Sequence, residues 1–226
     1  DIQKEMKAEP VNQALVNAVA TNSIDALTAN RQNAGALDTW FSVETKKQSI
    51  TDQKSSGRCW MFSGFNVLRS NYTQAHGDSI QLEFSQAYLF FWDQLEKANL
   101  MLQGVIDTAK DPIDNQRVQF FFHYPINDGG TFCGIADLAP KYGLVPADVQ
   151  PETYTSENTS KARSLIASKL REFGLQLRDM VAKKQKPADI TKAKTEMLGQ
   201  IYHMLELTLG APTQTFTYAF KDKSIS

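Results

Sequence analysis

The spacing of apolar residues predicts a chain built mainly of helices. Glu9-Pro10 opens a stretch that places Leu15, Ala18 and Val19 on one face, which predicts a helix with proline in its first turn. Asn22 to Asp38 is polar and reads as irregular. Phe41 and Val43 alternate with polar neighbours before Ile50, the pattern of a short extended segment. Thr51 to Arg58 reads as a polar loop with Gly57 near its end. A strong apolar run begins at Cys59, and its helical spacing predicts a buried helix from about Cys59 to Tyr72. Ser85 is placed to cap the next helix, in which Leu89, Trp92 and Leu95 or Glu96 recur, continuing past Met101. Asp111-Pro112 breaks the chain, and a short helix holding Val118, Phe121 and Phe122 follows.

Asn127-Asp128-Gly129-Gly130 signals a turn. The next helix runs from about Phe132 to Tyr142 and is ended by Gly143. Two long amphipathic helices come after it. The first carries Ala162, Leu165, Ile166, Leu170, Phe173, Leu177 and Val181 on one stripe, the second Ile190, Met197, Ile201, Leu205 and Thr208. Gly210-Ala211-Pro212 stops the second. Lys183 to Pro187 joins them as an exposed turn whose charges read as a solvated tip rather than a binding patch. Thr213 to Tyr218 alternates Gln214, Phe216 and Tyr218 with threonines, as at the start of a strand. The sequence stops soon afterwards, so it is expected to be a piece of a longer protein.

Composition narrows the function classes. The 226 residues suffice to bury a core, and a formal net charge of -1 gives no basic field for nucleic acid. No apolar run is long enough for a transmembrane helix. Two cysteines, Cys59 and Cys133, are too few for a disulfide-stapled scaffold. His76, His123 and His203 are scattered and no Cys-x-x-Cys occurs, so no structural zinc site is expected.

The chemistry concentrates in Gln53-Lys54-Ser55-Ser56-Gly57-Arg58-Cys59-Trp60-Met61-Phe62-Ser63. A thiol there begins a buried helix, where free N–H groups and the helix dipole favour the thiolate, the nucleophilic form. Gln53 can come round the loop, so that its amide and the Cys59 N–H together hold an oxyanion. A lone cysteine near an apolar run is otherwise an ordinary buried thiol; the surrounding pattern decides against that reading.

Ser56-Gly57-Arg58-Cys59-Trp60 resembles the nucleophile segment of papain-like cysteine peptidases, Cys-Gly-Ser/Ala-Cys-Trp/Tyr. Ser56 stands where that signature has its first cysteine, so the disulfide common in secreted relatives cannot form. The form Ser-Gly-Arg-Cys-Trp-Met-Phe is similar to the bleomycin hydrolase and aminopeptidase C branch. Glu83 to Asp93 resembles that branch's Leu-Ser-Gln-Ser-Tyr-Leu-Phe-Phe-Trp-Asp helix. Asn127, Asp128, Gly129 and Gly130 resemble its substrate-binding turn, and Tyr142-Gly143-Leu144-Val145-Pro146 its following loop. The helical hairpin from about Ser160 to Leu209 resembles an insertion that papain lacks. Phe132-Cys133 departs from the branch, which often carries Trp and a polar residue.

The resemblance implies an α+β papain-like cysteine peptidase, with this chain mostly its helical half plus the hairpin, and the β-rich half missing. The implied divisions are 1–50 as N-terminal helix and arm, 51–155 as the subdomain with the nucleophile, 156–212 as the inserted hairpin, and 213–226 as the start of the β-rich domain. It also implies an aminopeptidase that forms an acyl-thioester on Cys59, with Gln53 as oxyanion donor. Peptide is the implied partner, along with a homo-oligomer, a hexamer in the family. No cofactor, metal, nucleic acid or membrane is implied. The implied location is cytoplasmic, though a chain beginning at Asp1 leaves export open.

A thiol peptidase also needs an imidazole base. Family spacing puts that histidine roughly 130–150 residues after the cysteine, and His203 falls in that window. His203 lies in mid-helix within the hairpin, whereas the family's histidine begins a strand. His76 and His123 read as structural or surface residues. The catalytic His and Asn are thus expected outside these residues, leaving the piece alone with little activity. Two rival readings remain: a non-catalytic helical interaction module with the same fold, and a redox protein pairing Cys59 with Cys133.

Overall fold

The computed structural model describes residues 10–36, 38, 40–76 and 82–219. Glu9 and the closing Lys221-Asp222-Lys223 lie outside the described residues. The chain divides into a unit within residues 1–44 and a larger one within 45–226.

In the first unit, helix α1 (Pro10–Thr21) begins at the expected proline, and its Leu15 and Val19 are exposed. Asn22 to Asp38 is not irregular throughout, because it holds α2 (Ile24–Thr28) and α3 (Arg31–Ala36). Side chains start both helices without help from an apolar face. Ser23 Oγ accepts the Ala26 N–H at 3.3 Å, and Asn30 Oδ1 accepts that of Gln32 at 3.0 Å.

The second unit is organised around α5 (Gln86–Asp107), whose Ser85 cap accepts the Tyr88 N–H at 3.1 Å. Tyr88, Leu89, Phe90 and Phe91 are all buried in succession, so this helix is enclosed on every side there. Helix α4 (Cys59–His76) runs four residues beyond its expected end at Tyr72. Helices α6 (Gln116–His123) and α7 (Phe132–Tyr142) follow, both packed on α5, and α7 also touches α4. Helix α7 stops at Gly143, as expected, with φ 79°. A single turn, α8 (Tyr154–Glu157), was not foreseen. It is set by a reciprocal cap in which Thr153 Oγ1 accepts from Ser156 N–H and Ser156 Oγ accepts from Thr153 N–H.

The hairpin forms as expected: α9 (Ser160–Ala182) and α10 (Pro187–Leu209) pack on each other and on α5. Ile166, Leu170, Phe173 and Leu177 face Ile201, Leu205 and Leu209 in the common core. Leu165 does not belong to that stripe and is 53% exposed. Adjacent helical positions point about 100° apart, and the buried stripe here takes in Ile166 and Ala167, which leaves Leu165 on its solvent side. Thr213 to Tyr218, expected as the start of a strand, forms no ladder among the described residues. A strand needs a partner for its N–H and C=O groups, and the Thr213 N–H goes to the Gln150 side chain at 3.0 Å instead. No helix among the described residues is long and apolar enough to cross a membrane.

Candidate active site

The loop before α4 is held by its own side chains. Gln53 Nε2 donates to the Ser56 carbonyl at 2.6 Å, and Ser56 Oγ returns a bond to the Gln53 carbonyl at 2.6 Å. A primary amide has two N–H donors, so one remains on Gln53. Ser55 N–H donates to the Glu157 carbonyl at 2.9 Å, which ties the loop to the segment leading into the hairpin.

Arg58 then turns inward and is completely buried. Its Nη1 donates to Glu152 Oε1 at 3.0 Å, and Nη2 lies 2.8 Å from Glu152 Oε2. Its Nε donates to Ser56 Oγ at 3.0 Å, and the guanidinium lies over the Phe62 and Phe90 rings. With Arg58 drawn in on one side of Cys59 and Trp60 buried on the other, the intervening side chain faces outward. Cys59 is exposed as the first residue of α4. The first N–H groups of a helix have no intrahelical partner, and none of the hydrogen bonds among the described residues uses the Cys59 N–H.

The turn at 127–130 is fixed next to this helix start. Trp60 Nε1 donates to the Asp128 carbonyl at 3.0 Å. The Trp60 ring lies so close to Gly130 that an added Cβ would sit 2.6 Å from it, so the approach requires glycine. Beneath the turn, Lys97 Nζ donates to the Gly129 carbonyl at 2.6 Å, the Asn127 carbonyl at 3.0 Å and Asp93 Oδ2 at 2.7 Å. Burial pushes the Asp93 carboxyl above its ordinary pKa, against the pull of the Lys97 ammonium and the Gln94 amide. Gly130 itself is exposed, and its N–H and C=O have no hydrogen-bond partner among the described residues.

Asp128 points its carboxylate into the protein. Oδ2 accepts the Gly57 N–H at 2.8 Å and the Thr159 hydroxyl at 2.6 Å, and Oδ1 pairs with Arg163 Nη1 at 2.7 Å. Burial alone would raise this carboxyl, but the bonds from Thr159 and Gly57 and the Arg163 charge outweigh it and hold it below the usual range.

The structure thus ties the 127–130 turn to the start of α4 through Gly57 and Trp60, and folds Gln53 back on Ser56 in the loop that precedes Cys59. The three histidines stand elsewhere. His76 stacks on Tyr72 with ring centroids 4.2 Å apart, and His203 faces Glu206 at 3.5 Å within α10. His123 lies against Tyr124 at the end of α6, and none of the three hydrogen-bonds Cys59. No group of three metal-ligating side chains exists among the described residues. Sequence reasoning missed Lys97, Glu152, Thr159 and Arg163 as parts of the site. Only Lys97 carried a local sign, its spacing of four from Asp93; the others meet their partners across 31 to 94 residues.

Residues 1–226 match the Peptidase C1-like family. Aminopeptidase C of Lactobacillus delbrueckii subsp. lactis is 37% identical over 222 residues, covering 98% of this chain and 49% of the relative. Bleomycin hydrolase of Gallus gallus is 36% identical over 226 residues, covering 97% and 49%. The crystal structure of PepW from Lactobacillus rhamnosis is similar to this one with a TM-score of 0.93 at 37% identity, covering 100% of this chain and 50% of that one. The chain therefore spans about half the length of the curated relatives it matches, and the helical-half fold expected from the sequence stands.

Proposed function

Because the chain belongs to the Peptidase C1-like family, we propose that it carries the nucleophile side of a cysteine aminopeptidase site, with Cys59 as the nucleophile. The observation that carries this reading is the exposure of Cys59 at the head of a buried helix, between inward-turned Arg58 and Trp60. The sulfur attacks the first carbonyl carbon of a peptide, the peptide bond breaks, the amine leaves with a proton, and the acyl group stays as a thioester until water releases it. The Cys59 N–H and the second N–H of Gln53 are available to the oxyanion. The free N–H and C=O of Gly130 are available to pair with an extended substrate backbone.

On this reading none of His76, stacked on Tyr72, His123, at the end of α6, and His203, beside Glu206 in mid-helix, serves as the acid–base group. Turnover thus requires an imidazole from outside these 226 residues, and the chain alone hydrolyses peptides slowly.

Treatment with iodoacetamide and with a peptidyl epoxysuccinate, followed by mass mapping, tests the proposal. Cys59 and Cys133 are both exposed, so Cys133 serves as an internal reference. Faster alkylation of Cys59, with saturable reaction toward the peptidyl probe, is the expected result. Equal, slow, unsaturable labelling of both thiols would overturn it and favour a helical interaction module that retains the fold.

A further inference from the structure

The hairpin is sequentially remote from Cys59, yet its root and the segment leading into it are bound to the nucleophile loop at three points. The Ser55 N–H donates to the Glu157 carbonyl, Arg58 pairs with Glu152, and the Gly57 N–H meets Asp128, which Thr159 and Arg163 hold in turn. Thr159 precedes α9 as its cap residue, but its hydroxyl makes no cap bond to that helix and is spent on Asp128. Arg163 stands one turn further along the same helix. The approach of Gly57 to Asp128 is tight, since a Cβ there would lie 2.7 Å from Oδ1.

We infer that Asp128 is a positioning residue for Cys59, held in place by Thr159 and Arg163, so that the hairpin is part of the mount of the nucleophile. Asp128 fixes the N–H of the residue two before the sulfur, while its own carbonyl receives Trp60, the residue after it. One residue thereby grips the chain on both sides of Cys59. Its carboxylate is engaged by protein groups, while Asn127 and Gly130 of the same turn stay exposed and open to a peptide. A sulfur and its oxyanion donors must be held to a fraction of an ångström, and small displacements cost orders of magnitude in rate.

This inference rests on the cysteine-peptidase reading. The test compares Asp128→Asn, Arg163→Met, Arg163→Lys and Thr159→Val with Leu177→Ala, a control in the hairpin core. Each variant is assayed for the ratio of Cys59 to Cys133 alkylation, for inactivation by the peptidyl epoxysuccinate, and for melting temperature. The expected result is a fall in the ratio on the order of tenfold for D128N and R163M, partial recovery in R163K, and an unchanged ratio in L177A despite its lower melting temperature. Should R163M fail to fold, T159V, which loses one hydrogen bond, carries the comparison with a smaller fall. A wild type with fast, saturable Cys59 whose D128N and T159V variants keep the wild-type ratio would overturn the inference alone. A wild type whose Cys59 is no faster than Cys133 overturns the peptidase reading instead.

Discussion

The carboxylate of Asp128 accepts the backbone N–H of Gly57 at 2.8 Å across 71 residues of chain, and this bond joins the glycine turn to the loop that presents Cys59. The approach is so close that a Cβ on residue 57 would lie 2.7 Å from Asp128 Oδ1, so the contact as built requires glycine.

Gly57→Ala tests the closeness of that approach. The new methyl group would fall 2.7 Å from Asp128 Oδ1, so the carboxylate must move off the N–H. We expect a loss of about 1–3 kcal/mol in chemical denaturation together with slower alkylation of Cys59. A variant as stable as wild type would show that the loop relaxes freely.

Gly130→Ala separates binding from reactivity. Its methyl group would strike the Trp60 ring, and overpacking of this kind costs about 1–3 kcal/mol. Displacement of the turn should weaken the saturable step with a peptidyl epoxysuccinate more than the rate with iodoacetamide. Equal effects on the two reagents would argue that Gly130 does not contact peptide.

Arg58 and Glu152 test the cost of a buried charge. Arg58 has no solvent exposure, so Glu152→Ala strands a guanidinium in the core and is expected to cost about 3–5 kcal/mol. The double variant Arg58→Leu, Glu152→Ala should recover much of that loss in urea melts, because no charge remains to be compensated. A double variant less stable than E152A would contradict this account.

Acidification should undo the Asp128 clasp. A depressed native pKa means that the ionised carboxylate stabilises the fold above the unfolded value of about 3.9, and that this contribution disappears as pH falls through the lower native value. The melting-temperature gap between wild type and Asp128→Asn is therefore expected to be constant near neutrality and to narrow below about pH 3.9. A gap independent of pH down to unfolding would mean that the charge of Asp128 does not matter.

The sequence by itself determined most of the long helices and singled out Cys59 as the candidate nucleophile. Its apolar period marked α4 through α7 and both hairpin helices, since amphipathic spacing and glycine stops are local properties. The pattern around Cys59 marked the thiol, because a cysteine opening an apolar helix after a glycine loop is a local arrangement too. Locality also explains two misses in opposite senses. The short helices after Asn22 are begun by single side-chain caps that no period reveals, and Thr213 to Tyr218 alternates like a strand without a partner among the described residues to make it one. Tertiary structure alone decided what holds the thiol in place. Arg58 reads as a loop charge yet lies wholly buried on Glu152, and Asp128 reads as a turn residue yet reaches back to Gly57 and across to Arg163. Such contacts depend on how α9 and the loop come together in space, and charge pairs separated by 35 to 94 residues leave no periodic trace in the chain.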